Sequence, residues 1–251
     1  MFNQERRQYI LERLQREGRV VASELSTELG VSEDTIRRDL RDMAAEELIQ
    51  RVHGGALPRS PASASYLVRQ SQATAAKRRV ALAAAGLVQD GQIIILDGGT
   101  TNLLVAQYLP PDLRATVITN SPPVVMALAE HPEVEVILLG GKLFKHSVVT
   151  IGAATLDALR MIRADLYMLG VNSLHHEVGV GDLNIEETYV KRMMIENAAE
   201  VAALVSAEKF GTAAPYLVCP VRDLTYLVTE KAVPDELLAP YRDQGLTVLR
   251  A

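Results

Sequence analysis

The sequence predicts an α/β protein with a small, mainly helical domain at its N-terminus. From residue 92 onward, short β-branched runs alternate with helical segments, which is typical of a mostly parallel sheet covered by helices on both faces. The first 57 residues instead show amphipathic helical patterns and one short hairpin. Between the two parts, residues 58–65 have the proline- and serine-punctuated composition of a linker. We therefore expect domains at 1–57 and 66–251.

The most strongly patterned helix is expected after Ser32, its predicted N-cap. Ile36, Leu40 and Met43 recur at the spacing of one helical face, and charged residues occupy the opposite face. A second amphipathic segment, 21–29, precedes this helix, so the pair predicts a helix-turn-helix. In such a unit the second helix can enter the major groove of DNA and present arginines to base edges and phosphates.

The flanking segments extend the motif to its winged form. Residues 4–17 predict a preceding helix, and residues 50–57 predict a hairpin that turns at Gly54 and Gly55. The alternative interpretation is that the arginines lie on an ordinary solvated helix face. The winged context favours DNA binding, and the side chains that would make the positive surface are Arg37, Arg38, Arg41, Arg51 and His53.

The charge balance limits how DNA could be bound. The chain has a formal net charge of −5, and residues 1–57 contain nine arginines against eleven acidic side chains, a formal charge of −2. This excludes a uniformly basic module, but a local positive face suffices for specific binding. We expect weak non-specific affinity and a modest salt dependence. We also expect a homo-oligomer, a dimer or a tetramer, because a dimer doubles the contacts to double-stranded operator DNA.

Composition excludes several other classes of protein. The 251 residues are 48% hydrophobic and 23% charged, as in ordinary globular proteins. No run approaches the roughly 18 apolar residues of a membrane span, and the first residues lack an apolar signal region, so we expect a cytoplasmic protein. The single Cys219 excludes an internal disulfide and fits a buried hydrophobic position. His175 and His176 lack a third ligand at metal spacing, so we expect no metal.

Polar loops follow three of the predicted strands, where open parallel sheets bind ligands. The strand 93–96 leads into 97–102, where two glycines allow close approach and the next helix offers N–H groups and threonine hydroxyls to an anion such as phosphate. Similar loops are expected at 119–122 and 140–142. Each loop alone could be a tight turn, but three in succession favour an anion site.

Three lysines could each occupy an ordinary structural position. Glu187 and Lys191 lie at i, i+4 on a predicted helix, where they could form an ordinary ion pair. Lys209 follows the predicted strand 201–205 and could reach the same sheet edge or lie on the surface. Lys77 is expected on a solvated helix face with its two neighbouring arginines.

The N-terminal motifs resemble those of a known family. Ser32, the run Thr35-Ile-Arg-Arg-Asp-Leu40 and the run Arg51-Val-His-Gly-Gly-Ala56 resemble the DNA-binding signature of the DeoR family of bacterial transcription regulators. The resemblance implies that Ser32 and Thr35 also contact DNA. The chain departs from the family at Glu47, where a glycine usually precedes the leucine leading into the wing. We therefore expect the helix end to lack its usual left-handed cap.

The remaining motifs are similar to the DeoR effector domain, whose fold is similar to those of ribose-5-phosphate isomerase and glucosamine-6-phosphate deaminase. The resemblance implies a phosphorylated sugar or related metabolite as effector, usually relieving repression of a sugar-catabolism operon, and we expect no other cofactor. The residues that it implies for the effector site are Asp97, Gly99, Thr100, Thr101, Asn120, Gly141, Glu187 and Lys209.

A second departure from the family lies at Ser206, where the family generally has an aspartate three residues before the lysine. Its loss removes a partner for a sugar hydroxyl or for Lys209, so either the effector differs from the common ones or the site is weakened. One alternative function is a sugar-phosphate isomerase or deaminase fused to a DNA-binding head, with Asp97 or Glu187 as the base. Another is a regulator with a vestigial effector site. Because no other clear acid–base pair is present, we expect a repressor without catalytic residues.

Overall fold

The computed structural model describes residues 2–72 and 74–251. The N-terminal head consists of three helices and a three-stranded antiparallel sheet in the order β1-β3-β2. Its elements are α1 (Asn3–Glu17), β1 (Val20–Val21), α2 (Ala22–Leu29), α3 (Glu33–Ala45), β2 (Gln50–Val52) and β3 (Gly55–Leu57). This is the predicted winged helix-turn-helix, with the short strand β1 added to the wing.

Local sequence explains how the head folds. The Ser32 hydroxyl accepts a hydrogen bond from Thr35 N at 3.2 Å and so caps α3, as predicted. Ile36, Leu40 and Met43 of α3 are buried in the core of the head. The wing turns at His53 and Gly54 rather than at the predicted Gly54 and Gly55. A Cβ at residue 55 would lie 1.9 Å from Val20 O, so glycine permits β1 to pair with β3.

The end of α3 corrects one expectation. Glu47 has a φ of 62°, so the left-handed cap is present although the residue is not glycine. Leu48 N donates to Met43 O and Glu47 N donates to Ala44 O, the hydrogen-bond pattern of a Schellman motif. The expectation that Glu47 removes this cap was wrong, because neighbouring contacts hold a glutamate in a conformation that costs about 1–2 kcal/mol for a residue with a Cβ.

A buried ion pair ties the first helix to α3. Arg6 and Asp39, both less than 10% exposed, form a two-bond contact between guanidinium and carboxylate. Asp39 lies in the family-like run of α3, but it faces the interior of the head rather than the solvent. Removing one partner of such a pair leaves an uncompensated buried charge, so this contact fixes α3 on α1.

The second domain is an α/β structure. A 3₁₀ turn at Pro61–Ser63 precedes α4 (Tyr66–Ser71) and α5 (Thr74–Ala85). The following elements are β4 (Ile93–Leu96), α6 (Thr100–Tyr108), β5 (Thr116–Thr119), α7 (Pro122–Leu128), β6 (Glu135–Leu138), β7 (Lys142–Phe144), β8 (Val149–Ile151), α8 (Ala153–Leu159), β9 (Ala164–Gly170), β10 (Ser173–His175), β11 (Gly179–Asp182), α9 (Ile185–Glu196), β12 (Ala198–Val205), β13 (Tyr216–Cys219), β14 (Tyr226–Thr229), α10 (Asp235–Asp243) and β15 (Thr247–Arg250).

The described residues form a seven-stranded parallel sheet in the order β15-β14-β12-β9-β4-β5-β6. Apolar side chains of this sheet enter two cores, one on each face. Ile94 and Leu96 of β4 enter one core, while Ile95 enters the other, as alternation along a strand requires. The predicted parallel sheet with helices on both faces is confirmed.

Two features of this domain were not predicted. The hairpin β7-β8 and the sheet β10-β11-β13 cover part of the carboxyl edge of the main sheet.

Lys77 was wrongly expected in solvent. It is 6% exposed, and its Nζ donates to Arg69 O at 2.6 Å and to Gln72 O at 2.8 Å. Lys77 therefore satisfies carbonyl groups at the end of α4, a favourable place for a cation.

Candidate functional site

The positive surface of the head lies on α3 and the wing. Arg37, Arg38 and Arg41 project from the exposed face of α3, and Arg51 and His53 are exposed on the wing. A single concave surface is lined by Arg37 together with Arg51 and His53, so helix and wing face the same side. Arg37 Nη2 lies 2.7 Å from Glu33 Oε1, but an exposed pair of this kind contributes little and can exchange for a phosphate.

Ser32 and Thr35 lie at the start of α3. Their hydroxyl oxygens are 2.9 Å apart, and the Ser32 hydroxyl caps the helix. α3 is the second helix of the helix-turn-helix, called the recognition helix, and both hydroxyls lie at its N-terminal end. Base contacts are usual at this end of such a helix. Their structural role is the cap, and a direct contact with DNA stays a prediction.

A narrow cleft, partly open to solvent, lies at the carboxyl edge of the parallel sheet. It is formed where the loops after β4, β9 and β12 meet, next to the start of α6. The predicted residues that line it are Gly99, Thr100, Thr101, Glu187 and Lys209. Gly99 has a φ of 106°, which lets the chain turn directly into α6 and leaves the first N–H groups of that helix facing the cleft.

Three cationic side chains line the cleft, those of Arg69, Lys191 and Lys209. Arg69 comes from α4, and among the described residues its buried Nε has no hydrogen-bond partner. Lys209 follows β12, and its Nζ donates to Val171 O at 2.5 Å. A buried guanidinium N–H without a partner is costly, so an anion in the cleft would satisfy it. The cleft therefore offers a guanidinium, an ammonium and a helix N-terminus to an anion.

Lys191 of α9 holds three carboxylates beneath the cleft. Its Nζ lies 2.7 Å from Asp182, 3.5 Å from Glu187 and 3.6 Å from Asp97, and it also donates to Gly170 O at 2.8 Å. Burial opposes the charge on Lys191, but the carboxylates hold its pKa above the ordinary value. The predicted ion pair with Glu187 is thus one contact of a buried network.

Burial shifts two ionisable groups of the cleft toward neutral pH. The pKa of Glu187 is raised to about 7 by burial and by the nearby Asp182 carboxylate. The pKa of Lys209 is lowered to about 7 by burial, partly offset by Glu208. Loss of the Lys209 proton and ionisation of Glu187 both make the cleft less favourable to an anion, so its affinity for anions should fall above neutral pH.

Three of the predicted effector residues do not line the cleft. Asp97 is 1% exposed beneath it and accepts hydrogen bonds from Gly98 N, Gly170 N and the Tyr167 hydroxyl. Its carboxylate shapes the loop after β4. Its pKa is raised by burial, an effect that Lys191 partly offsets. That Asp97, Asn120 and Gly141 contact an effector directly stays a prediction, and this geometry does not support it.

Asn120 and Gly141 lie under the β7-β8 hairpin. Asn120 Nδ2 donates to Thr150 O at 3.0 Å. A Cβ at residue 141 would lie 2.2 Å from Thr155 Oγ1, so glycine allows the chain to pass close to α8. The hairpin therefore covers the ends of β5 and β6, and the cleft forms only at the ends of β4, β9 and β12.

A nearby carboxylate partly replaces the one missing at residue 206. Ser206 is buried, and its hydroxyl donates to Glu208 Oε1 at 2.5 Å. Glu208 is the anion that most favours the charged forms of Lys209 and of Lys77. Lys209 therefore keeps an acidic neighbour despite the serine, although Glu208 does not line the cleft.

Three further predictions concern metal binding, membrane insertion and Cys219. No group of three or more His, Cys, Asp or Glu side chains in 2–72 and 74–251 could hold a metal ion. No helix in the same ranges is long and apolar enough to span a membrane. Cys219 is buried, as expected.

Arg69 is the cleft residue that the sequence did not reveal. It belongs to a short helix directly after the linker, where an arginine is usually a surface residue. Ser147 and Asn172 also line the cleft, and no sequence pattern pointed to them. The hydrogen bond from Ser147 Oγ to Glu187 Oε2, at 3.0 Å, connects two elements that no sequence pattern relates.

A winged helix-turn-helix joined to an α/β domain with a strand-end anion cleft defines a DNA-binding protein that can respond to a ligand. Comparison with known families assigns it further. Residues 6–61 match the DeoR-like helix-turn-helix domain and residues 72–231 match the DeoR C terminal sensor domain. The chain belongs to the DeoR family of transcription regulators. This confirms the family that the motifs at 32–40 and 51–56 indicated.

Relatives of similar length are named as regulators. The chain is 31% identical to a "Putative aga operon transcriptional repressor" of Escherichia coli O157:H7, with 98% of this chain and 93% of the relative covered. It is 34% identical to the "Glycerol-3-phosphate regulon repressor" of Escherichia coli (strain K12), with 84% of each covered. It is 32% identical to the "HTH-type transcriptional repressor GlcR" of Bacillus subtilis (strain 168), with 98% and 95% covered. These relatives support the prediction of a regulator and not of an enzyme.

Solved structures show only a distant likeness. Ribose 5-phosphate isomerase A from Methanocaldococcus jannaschii aligns with a TM-score of 0.40 at 20% identity, over 53% of each chain. The eIF2B-beta2-delta2 complex from C. thermophilum aligns with a TM-score of 0.48 at 14% identity, over 96% of this chain and 72% of that chain. Both scores are too low for an argument about function.

Proposed function

We propose that this regulator represses a sugar-catabolism operon and is released from its operator by a phosphorylated sugar or related metabolite bound in the cleft. The observation that carries the proposal is the buried Nε of Arg69, which has no hydrogen-bond partner among the described residues, in a cleft that Lys209 and the start of α6 also line. Two relatives of this chain are named as repressors of a glycerol-3-phosphate regulon and of an aga operon.

The phosphate group is proposed to bind between Arg69, Lys209 and the N–H groups of Gly99, Thr100 and Thr101. Glu187 would accept a hydrogen bond from a sugar hydroxyl, because its carboxylate lies at the same cleft. Lys209 would then donate to the phosphate instead of to the Val171 carbonyl. This hydrogen bond would be stronger, because both groups are charged.

On the DNA side, α3 is proposed to enter the major groove, with Arg37, Arg38 and Arg41 contacting bases and phosphates, while Arg51 and His53 of the wing contact the adjacent backbone. Ser32 and Thr35 would contact a phosphate at the helix start. Two heads of a homo-oligomer would bind two half-sites. A protein that binds an operator in this way would be located in the cytoplasm.

The ligand can release DNA only through different affinities for the DNA-bound and free states. We propose that the segment between the wing and α4 transmits this difference, because it continues into the wing at one end and leads into α4, which carries Arg69, at the other.

The test is a footprint of the full-length chain on DNA from upstream of its own gene, at fixed salt. We expect protection of a pseudo-palindromic site that disappears when ribose 5-phosphate, glucose 6-phosphate or glycerol 3-phosphate is added. Protection that no sugar phosphate reduces would contradict the proposed release, and no protection of any sequence would contradict operator binding.

A further inference from the structure

A second cavity adjoins the cleft on the side of the DNA-binding head. It has a volume of about 400 Å³ and is partly open to solvent. Four residues line both spaces, namely Arg69, Ser147, Asn172 and Glu187. A ligand whose phosphate occupies the cleft therefore has room to extend past Glu187 into the second cavity.

The far wall of this cavity belongs to the end of the recognition helix. Glu47 and Arg59 both line it. Arg59 Nη1 donates to Glu47 O at 2.7 Å and lies 3.0 Å from Glu47 Oε2. Glu47 is the residue held in the left-handed conformation just after α3. Arg59 thus stabilises an unfavourable backbone conformation at the point where α3 turns toward the wing.

The segment that carries Arg59 is fixed to the α/β domain. Ser60 N donates to Ala213 O, and Ala213 N donates to Pro58 O. The Ser60 hydroxyl donates to Asn172 O at 2.6 Å. The two carbonyls before Asn172 in the chain, those of Gly170 and Val171, accept from Lys191 and Lys209. The cleft and the wall made by Arg59 therefore share one loop.

The chemistry of the cavity suits a hydroxylated molecule. Its polar wall includes the carboxylate of Glu187, the side chain of Asn184 and the guanidinium of Arg59, whereas Asp182 behind them is fully buried. Phe144 and Leu183 supply apolar surface beside them. Carboxylates and amides that line a cavity can accept and donate hydrogen bonds to the hydroxyls of a sugar, while an apolar patch can cover its ring.

We propose that this interdomain cavity is the subsite for the sugar portion of the effector and that the sugar releases DNA by drawing Arg59 away from Glu47. The inference rests on the proposed function. A sugar hydroxyl that accepts from Arg59 competes with the Glu47 carbonyl for the same guanidinium. Without Arg59, the left-handed turn at Glu47 loses the contact that holds it, and the end of α3 can move relative to the wing.

The phosphate and the sugar of one ligand should therefore have different effects on DNA binding. Inorganic phosphate fills only the cleft, so it should bind without changing the affinity for DNA by more than about twofold. A sugar phosphate that occupies both spaces should weaken DNA binding at least tenfold. The linkage should depend on Arg59 and on Glu47, whereas binding of inorganic phosphate should depend on neither.

The experiment uses full-length protein with two substitutions, Arg59→Gln and Glu47→Gln, and two matched controls, Arg78→Gln and Glu236→Gln, at exposed positions of α5 and α10. Calorimetry measures binding of inorganic phosphate, glucose 6-phosphate, ribose 5-phosphate and glycerol 3-phosphate. Fluorescence anisotropy measures the affinity for DNA from upstream of the gene, with and without each compound at saturation. Thermal melting verifies that each variant is folded.

With the wild-type protein, we expect one sugar phosphate to weaken DNA binding at least tenfold. In Arg59→Gln this ratio should fall below threefold, the sugar phosphate should bind several-fold more weakly, and inorganic phosphate should bind as before. Glu47→Gln keeps the carbonyl that Arg59 contacts, so its ratio should change less than that of Arg59→Gln. The controls should behave as wild type.

Two results would overturn the inference, and they differ in what else they contradict. If a sugar phosphate releases DNA from the wild-type protein and from Arg59→Gln by the same factor, the subsite is wrong while the proposed function stands. If no sugar phosphate binds or releases DNA from the wild-type protein, both the subsite and the proposed release are wrong.

Discussion

The DNA-binding surface and the effector cleft use positive charge in opposite ways. Arg37, Arg38 and Arg41 project into solvent from α3, where water screens their charges. Lys191 and Lys209, by contrast, are enclosed by protein, and their pKa values are shifted in opposite directions. These three arginines of α3 can therefore be replaced at little cost to folding, whereas each buried cation is part of the stability of the α/β domain.

This difference also decides which residues respond to their surroundings. An exposed guanidinium is charged and available whether or not DNA is bound. A buried ammonium whose pKa is about 7 changes its charge when an anion arrives or the pH changes. The head is therefore a fixed recognition surface, and the cleft is the part suited to sensing.

The largest effect should come from replacing exposed arginines of the DNA-binding surface. Replacing both Arg37 and Arg38 with alanine should weaken operator binding at least 100-fold, since each base contact of this kind contributes about 1–3 kcal/mol. The free energy of unfolding should change by less than about 0.5 kcal/mol, because both side chains are exposed. Fluorescence anisotropy and urea denaturation measure the two quantities.

The matched control is the double substitution of Arg78 and Arg79, which are exposed on α5 of the other domain. It should leave operator affinity within about threefold of wild type, allowing for the long-range field of two lost charges. Equal losses in the two double variants would contradict a specific role of α3.

The next largest effect should come from the buried side. Lys191→Met leaves Asp97, Asp182 and Glu187 without their shared cation and should destabilise the α/β domain by about 3–5 kcal/mol. Lys231→Met, at an exposed position, should change stability by less than about 0.5 kcal/mol. Urea denaturation followed by circular dichroism compares them, and similar stabilities would refute the account of the buried network.

A third substitution addresses the cleft itself. Arg69→Gln should lower the affinity for an effective sugar phosphate by about 10- to 100-fold, because a charge-assisted hydrogen bond contributes about 1.5–3 kcal/mol. Operator affinity without ligand should stay within about twofold. Calorimetry gives the ligand affinity, with Gln70→Ala on the exposed side of α4 as the control. Unchanged ligand affinity in Arg69→Gln would exclude Arg69 from the site.

The pH dependence should distinguish the two regions without any substitution. As the pH rises through 7, Lys209 loses its proton and Glu187 gains a negative charge. For each of these groups that must be protonated in the complex, the affinity for a phosphorylated ligand should fall on the order of tenfold for every pH unit above 7. Glu187→Gln should reduce the slope. Calorimetry from about pH 6.5 to pH 8 measures it, and an affinity that rises over this range would contradict the assignment.

The smallest effect concerns the end of α3. Glu47→Gly keeps the carbonyl that Arg59 contacts and removes the strain of a left-handed glutamate, so it should stabilise the head by about 1 kcal/mol. Ala45→Gly, at the last residue of α3, should instead destabilise the head by up to about 1 kcal/mol. Thermal melting compares the two variants, and a loss of stability in Glu47→Gly would show that the conformation is not strained.

The sequence was sufficient for the features that depend on local periodicity. The cap at Ser32, the apolar face of α3 and the alternation of strands and helices after residue 92 all appear in the structure as predicted. Each depends on residues within a few positions of one another, so the spacing of residue types carries the information. The loop after β4 was placed correctly for the same reason.

Long-range contacts account for what the sequence did not reveal. Arg69 reaches the cleft only because α4 lies over the edge of the sheet, and Asn120 is removed from it only because the β7-β8 hairpin covers it. Asp39, in the middle of the recognition helix, pairs with Arg6 from α1. Such contacts arise from tertiary packing and leave no periodic pattern in the chain.

The central claim is that a phosphorylated ligand in the cleft and DNA on the head affect each other's affinity. Calorimetry with glucose 6-phosphate, ribose 5-phosphate and glycerol 3-phosphate, in the absence and presence of saturating operator DNA, tests it most directly. We predict that operator DNA weakens binding of one of these ligands at least tenfold, the same factor by which that ligand weakens DNA binding, as linkage requires. Equal affinities with and without DNA would contradict the claim.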